Sequence, residues 1–285
     1  HHAPMEPHVS LCDYDIDGKL TVYTPSQDVF GQRKNLAKIF GLPMNKVRVI
    51  SPAMGGGFGG KIDLVTEPVG ALLSMKTGHP VKIVYTRRED IQSGTTRHAE
   101  KIHIKTGVKN DGHITACDYK VYLSAGAQSG ATMSVAWAAG GKFFKIFSIP
   151  NMHYHAIPVY TNRSIAGAMR GFGSPQLFFA LNSQVNHIAK CLEMDFCDFE
   201  KMNMYEPKTC DQNGESLGNL RIRECVDEGK RLFGWDAALE EQEESARKNG
   251  RYRIGAGMAA APHGSSLFGI MPDTCGVMLK MNEDG

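Results

Sequence analysis

Apolar and polar residues alternate from 100 to 108 (Ile102, Ile104) and again from Ile114 to Leu123, with Asn110-Asp111-Gly112 between them. This pattern predicts a long hairpin. A shorter hairpin is predicted by Val9 to Tyr14 and Leu20 to Tyr23 around Asp15-Ile16-Asp17-Gly18. Val47 to Ile50 and His153 to Tyr160 read as single strands, and Val81 to Tyr85 as a buried one. Val29, Leu36, Ala37 and Phe40 recur at helical spacing until Gly41-Leu42-Pro43. A second helix is expected over 66–76, closing at Gly78-His79-Pro80. Leu177, Phe178, Leu181, Val185, Ile188, Ala189 and Leu192 share one face of a long helix, with Ser174 as its cap and Pro175 in its first turn. Segments 196–205 and 220–232 read as further helices, and 236–249 as an exposed charged one ended by Asn249-Gly250. Segment 124–141 is rich in Ala, Gly and Ser without a strong period, and is expected to be a surface or site-lining loop with a short helix. Strand patterning resumes after Tyr252. The expected fold class is α+β, with mixed and antiparallel sheets and packed helices, in two unequal parts divided within 236–250.

Composition narrows the function classes. Thirty-two basic residues against 30 acidic ones provide no basic stripe for nucleic acid or a membrane surface. No apolar run has the length of a membrane span. Seven scattered cysteines, odd in number and without a Cys-x-x-Cys, point to reduced and mostly buried thiols in a cytoplasmic protein rather than to disulfides or zinc. The chain opens at His1 without a basic-then-apolar leader and stops just after Glu283-Asp284, so a piece of a longer polypeptide is expected.

Two stretches carry the chemistry. In Met54-Gly55-Gly56-Gly57-Phe58-Gly59-Gly60-Lys61, five of eight residues are glycine. Such a run lets a ligand approach the backbone, and its successive N–H groups can cradle an anion. A tight, ligand-free turn explains the run equally well by itself. The second stretch, Gly167-Ala168-Met169-Arg170-Gly171-Phe172-Gly173-Ser174-Pro175-Gln176, repeats the design between a strand and a helix and adds a permanent cation. Arg170-Gly171-Phe172-Gly173 has the look of an RNA-binding strand, but Pro175 cannot continue a central strand. Gly55, Gly57 and Gly60 can be forced into Gly-x-Gly-x-x-Gly, but the position about twenty residues on, where an acidic residue belongs, is Pro80. A cofactor other than nicotinamide, held between two Gly-Phe loops, is the third reading.

At this point the sequence resembles the molybdenum hydroxylases, the family of xanthine dehydrogenase and aldehyde oxidase. The matching residues are His2-x-x-Met5-Glu6-Pro7-His8, the Pro25-Ser26-Gln27 turn, Met54 to Lys61, and Arg170 to Gln176, in the family's order and spacing. The resemblance covers nearly the whole chain. It implies a first molybdenum-cofactor-binding domain over 1–240, and over 241–285 a linker helix with the first strands of an incomplete second one. It further implies that Gln27 hydrogen-bonds near an oxygen on molybdenum, that the Phe58-Gly59 pair lies beside the metal with a backbone N–H toward its ligands, and that Gly57 also binds the cofactor. Arg170 would contact the cofactor, and Phe172 and Ile62 would line the substrate pocket. No residue ligates the metal directly, because a molybdopterin dithiolene holds it, with the pterin either plain or extended as a cytosine dinucleotide.

The implied reaction hydroxylates an aldehyde or an N-heteroaromatic, purine-like carbon with water oxygen. Electrons leave through iron–sulfur clusters to FAD on partner modules, within a dimer of the assembly. Xanthine-type members carry a glutamate where this chain has Ile62, and an arginine where ungapped counting reaches Ala138, so a less polar substrate than xanthine is expected. The family's base glutamate lies beyond Gly285, so no catalytic residue is expected in this chain, and the 285 residues alone are expected to be inactive and to hold little cofactor. The rival reading is a truncated or cofactor-free relative serving only assembly or partner binding. Glu67 and Glu89 read as ordinary surface carboxylates, His2 and His8 as anchors of the entering strand, and His1-His2 as solvated. His153 and His155 read as structural or exposed, and His98 and His263 have no evident partner.

Overall fold

The computed structural model describes residues 1–263. A four-stranded sheet is built from β1 (Val9–Tyr14), β2 (Leu20–Tyr23), β3 (Val47–Ile50) and β4 (Val81–Val84), in the order β3-β2-β1-β4. β1 is antiparallel to β2 and β4, whereas β2 and β3 are parallel. A parallel pair needs a crossover, and helix α1 (Val29–Phe40) provides it. Asp28 caps α1 by accepting from the Gly31 N–H, and Gly41 closes it in the left-handed region at φ 63°. Helix α2 (Glu67–Thr77) packs on β1, and Cys12, Leu20, Val22, Leu36, Ala37, Val47, Val49 and Ala71 bury together. A short helix, α3 (Arg87–Ser93), follows β4 and was not marked by periodicity; Thr86 and Glu89 form its capping box.

The second lobe holds the predicted long hairpin, β5 (Glu100–Val108) and β6 (Ile114–Gly126), with β7 (Asn151–Tyr160) parallel to β6. Segment 124–141 corrects the loop expectation: most of it enters helix α4 (Thr132–Phe143), the crossover between β6 and β7. Its small residues permit close approach instead of marking a loop. A Cβ on Gly140 would stand 2.8 Å from the Tyr154 ring, and Tyr154 Oη donates to Ala136 O at 3.0 Å. Tyr154 stacks on Tyr119 at 5.5 Å beside Phe143. Helix α5 (Ser174–Cys191) lays Leu177, Phe178, Leu181, Val185 and Ala189 into this core. Burying each of the larger side chains stabilises the fold by about 1.5–3 kcal/mol. Helices α6 (Phe196–Asn203), α7 (Ile222–Phe233) and α8 (Trp235–Lys248) complete the lobe, with Trp235 Nε1 donating to Asp195 Oδ2 at 2.8 Å.

Several expectations change. β4 is a half-exposed edge strand, not a buried one, because among the described residues no strand pairs its outer side and Val84 stays 57% exposed. Gly173, not Ser174, is the N-cap of α5; Ser174 is its first residue, and its Oγ faces His263 Nδ1 at 3.4 Å. Residues 252–263 form no strand, and the strands expected farther on lie outside the described residues. Cys12, Cys117 and Cys197 are buried, but Cys191, Cys210 and Cys225 are exposed, so burial does not hold for the cysteines as a class; Cys275 lies outside the described residues. Among the described residues no helix is long and apolar enough to cross a membrane.

Candidate functional site

β3 delivers the chain into the first glycine loop, and two neighbouring motifs grip it. The Glu6 N–H donates to Gly55 O at 3.2 Å, and the Gly55 N–H donates back to Glu6 Oε2 at 2.9 Å. The same oxygen accepts from Lys61 Nζ at 2.7 Å, and the Lys61 side chain is only 1% exposed. Burial works against the Glu6 charge, but the Lys61 ammonium and the Gly55 N–H outweigh it and hold the carboxyl below its usual range. On the other side the Gln27 N–H donates to Lys61 O at 2.9 Å. Gln27 Oε1 accepts from Gly59 N–H at 2.8 Å and from Lys61 N–H at 3.3 Å. With that oxygen occupied, the exposed end of Gln27 offers its amide nitrogen, a donor. The Gly59 N–H is thus spent on Gln27. The N–H groups of Gly57 and Phe58 have no acceptor among the described residues.

Phe58 has φ 53°, and Gly59 has φ 99°. A left-handed bulky residue costs on the order of 1–3 kcal/mol and persists where its surroundings over-determine it. Phe58 is still 46% exposed, so the strain is not offset by full burial. Phe172 repeats the conformation at φ 44°, between Gly171 at 93° and Gly173 at 90°. The two loops meet directly: the Arg170 N–H donates to Phe58 O at 3.0 Å. A Cβ on Gly59 would fall 2.6 Å from Ala168 O, so only glycine admits this contact. Helix α4 backs the second loop, with Val135 O and Ala139 Cβ each 3.0 Å from where a Gly173 Cβ would lie.

The structure therefore brings Gln27, Gly57, Phe58, Gly59, Arg170 and Phe172 to one junction between the lobes. The Arg170 side chain is exposed and has no acidic partner among the described residues. Ile62 follows on the same turn, half-buried, with its carbonyl 3.4 Å from Gln32 Nε2. Ala138 is half-buried on α4. His8 is an anchor, as read: its Nδ1 lies 2.6 Å from Asp90 Oδ1 and its Nε2 3.0 Å from Gly60 O. His2 Nε2 lies 2.6 Å from Ala168 O, and burial pulls the His2 ring below its usual pKa, so a neutral ring donates through Nε2.

Further readings need revision. His1 is not merely solvated, since its Nε2 accepts the Arg97 N–H at 3.0 Å. Glu67 is no surface carboxylate: it is 2% exposed, takes Thr24 Oγ1 at 2.6 Å and accepts the Val65 N–H at 2.8 Å. His98 does have a partner, Thr132 Oγ1, at 2.9 Å. Arg97 and Lys142, which hold the second loop, carry little signal in the sequence: Arg97 stands outside both Gly-Phe stretches, and Lys142 follows only the pair Gly140-Gly141.

The junction is donor-rich: backbone N–H groups, an amide nitrogen, a guanidinium and aromatic walls. Among the described residues no group of three or more His, Cys, Asp or Glu could hold a metal ion. This donor set fits an anionic organic cofactor that brings its own metal ligands, and not a metal bound directly by protein.

Comparison with known proteins decides the family. Residues 1–204 match the family model described as molybdopterin cofactor-binding domain. The chain belongs to that family. Throughout its length it is 31% identical to the "Xanthine dehydrogenase molybdenum-binding subunit" of Escherichia coli, of which it spans 38%. Over 76% of the chain it is 35% identical to the "Nicotinate dehydrogenase large molybdopterin subunit" of Eubacterium barkeri, of which it spans 51%. The aldehyde oxidoreductase from Desulfovibrio gigas superposes with a TM-score of 0.79 and 24% identity over 88% of this chain and 27% of that one. The molybdopterin-binding fold is thus present here over about a quarter to a half of the length of these relatives. Within it, the two Gly-Phe loops are the joint between the lobes.

Proposed function

We propose that this chain forms part of the molybdenum-binding subunit of a hydroxylase-type oxidoreductase. The observation that carries the reading is the Arg170 N–H to Phe58 carbonyl bond, at 3.0 Å, joining two loops whose phenylalanines are both left-handed. Strained residues of this kind persist where the surrounding structure holds a site in shape. When bound, molybdenum–molybdopterin would supply the two-electron redox chemistry, as cofactors do in general.

The chain's own residues bind and orient. Gln27, its oxygen fixed by Gly59 and Lys61, directs its amide nitrogen as a donor toward cofactor oxygen. The free Gly57 and Phe58 N–H groups add preorganised donors, which stabilise developing negative charge without reorganising. Arg170 offsets cofactor charge. The Phe58 and Phe172 rings exclude water from the reacting centre. Ile62 and Ala138, apolar where xanthine-type members are charged, favour an aldehyde or an N-heteroaromatic carbon less polar than xanthine. The nicotinate dehydrogenase relative supports the heteroaromatic class.

The remainder of the subunit supplies the base glutamate. Iron–sulfur and FAD modules take the electrons, in a dimeric cytoplasmic assembly without nucleic acid. Residues 1–240 form the first cofactor-binding unit, and 241–285 open the second. Molybdenum and pterin analysis of the full-length assembly tests the reading. Close to one molybdenum and one pterin per subunit is expected. Their absence from the full-length protein overturns it and leaves an assembly role.

A further inference from the structure

Four consecutive backbone carbonyls of the second loop, from Ala168 to Gly171, are taken from within the protein. His2 Nε2 lies 2.6 Å from Ala168 O, Arg97 Nη2 donates to Arg170 O at 2.8 Å, and Lys142 Nζ donates to Gly171 O at 3.3 Å. The carbonyl between them, Met169 O, accepts the Phe172 N–H at 2.8 Å. Across a planar trans peptide the C=O and the next N–H point in opposite directions. Drawing the Ala168 and Arg170 carbonyls inward therefore turns the Met169 and Gly171 N–H groups the other way. Neither of those N–H groups has an acceptor among the described residues.

Of the three side-chain donors, Arg97 makes the widest connection. Its Nη1 donates to Gln176 Oε1 at 3.1 Å, and Gln176 Nε2 donates to His98 O at 3.3 Å. One planar fork thus ties the loop to the first turn of α5, a geometry that a lysine's point charge cannot reproduce. The arginine is itself fixed. Its own N–H is held by His1 Nε2 at 3.0 Å, and its neighbour Thr96 bonds both ways with the segment entering the loop, through Ile165 O at 3.1 Å and the Gly167 N–H at 2.9 Å. Phe172, at φ 44°, needs such bracing, because a left-handed phenylalanine relaxes wherever the backbone is free to move.

We propose that Arg97 is a positioning residue for the site: by holding the Arg170 carbonyl and Gln176 together, it sets the orientation of Arg170, Phe172 and the outward Gly171 N–H. This rests on the molybdenum-site reading for its consequence in catalysis, but not for the clamp itself. The test therefore has two arms, both on the full-length protein. In the metal-free protein, hydrogen exchange is followed at the Arg170, Phe172 and Ser174 amides, whose bonds go to Phe58 O, Met169 O and Gly171 O.

Arg97→Ala is expected to speed their exchange about tenfold or more while the β5–β6 hairpin keeps its protection, with Arg97→Lys intermediate. In the loaded protein, kcat is expected to fall roughly 10- to 100-fold with KM little changed, and Arg97→Lys to recover part of the loss. Unchanged exchange at those three amides, or a rise spread equally over the hairpin, overturns the clamp. If Arg97→Ala does not fold, Arg97→Lys decides by the same measurement. Should the wild-type protein hold no molybdenum, the site reading fails, while the exchange arm still decides the clamp.

Discussion

The two Gly-Phe loops put the phenylalanine and the glycine after it in the left-handed region with different anchors. The first is fastened by motif residues close to it in the fold of its own lobe: Gln27 at one edge, and the Glu6–Lys61 pair across its ends. The second is fastened by three donors scattered along the chain, His2, Arg97 and Lys142, each taking one carbonyl. The first loop is built around an ion pair whose lysine is buried and whose carboxylate is partly exposed, and the second around borrowed hydrogen bonds. A buried charge that has lost its partner is costly, while a surface-reaching hydrogen bond is worth about 1 kcal/mol. The first loop should therefore fail as a unit, and the second by degrees.

The lobes differ in the same way over their buried ionisable groups. Lys61, under the first loop, has its carboxylate. Glu200, on α6 in the second lobe, is wholly buried, and neither of its oxygens has a partner among the described residues. Burial pushes its carboxyl up to about 8.

The largest effect is expected from Glu6→Gln, which leaves Lys61 buried without its counter-charge. Chemical denaturation should show a loss of about 3–5 kcal/mol, with Glu6→Gln/Lys61→Met recovering most of it. Equal losses for the single and double variants would mean the pair is not what holds the first loop.

The next effect concerns Glu200. Its folded pKa of about 8 lies above the ordinary 4.5, so the folded state keeps a proton that the unfolded state releases. Its contribution is fully present below about 4.5 and is lost as pH rises through about 8. Unfolding free energies across that window should fall in the wild type and flatten in Glu200→Gln, the two differing by a few kcal/mol at the alkaline end. Parallel pH profiles would mean that Glu200 has found a partner.

The smallest effect is expected from Phe58→Gly. Release of left-handed strain, worth about 1–2 kcal/mol, opposes the loss of a half-exposed ring, so the metal-free protein should change by less than about 1 kcal/mol. A loss above about 2 kcal/mol would place the ring in the packing of the lobe instead of at the site.

Much of the fold was legible because its periods are clean. The β5–β6 hairpin alternates, α1 and α5 carry apolar stripes, and Gly41 and Asn249 sit where helices close in the left-handed region. Segment 124–141 was not legible as α4, because the helix is shaped by fit against Tyr154, and small residues look the same in a loop and in a tight interface. Glu67 read as a surface carboxylate for a similar reason: its partners, Thr24 and the Val65 N–H, only assemble in space.

The sequence by itself determined the two glycine runs, their central phenylalanines and the Gln27 turn. Those features are local: they depend on which residues lack a Cβ and on what stands beside them. The tertiary structure decided that the loops touch through Phe58 and Arg170, that the Gln27 oxygen is already taken and leaves its amide nitrogen as the donor still available, and that Arg97 holds the second loop. Hydrogen bonds between residues far apart in the chain leave no period in it, and most of the acceptors here are backbone carbonyls, which every residue carries alike.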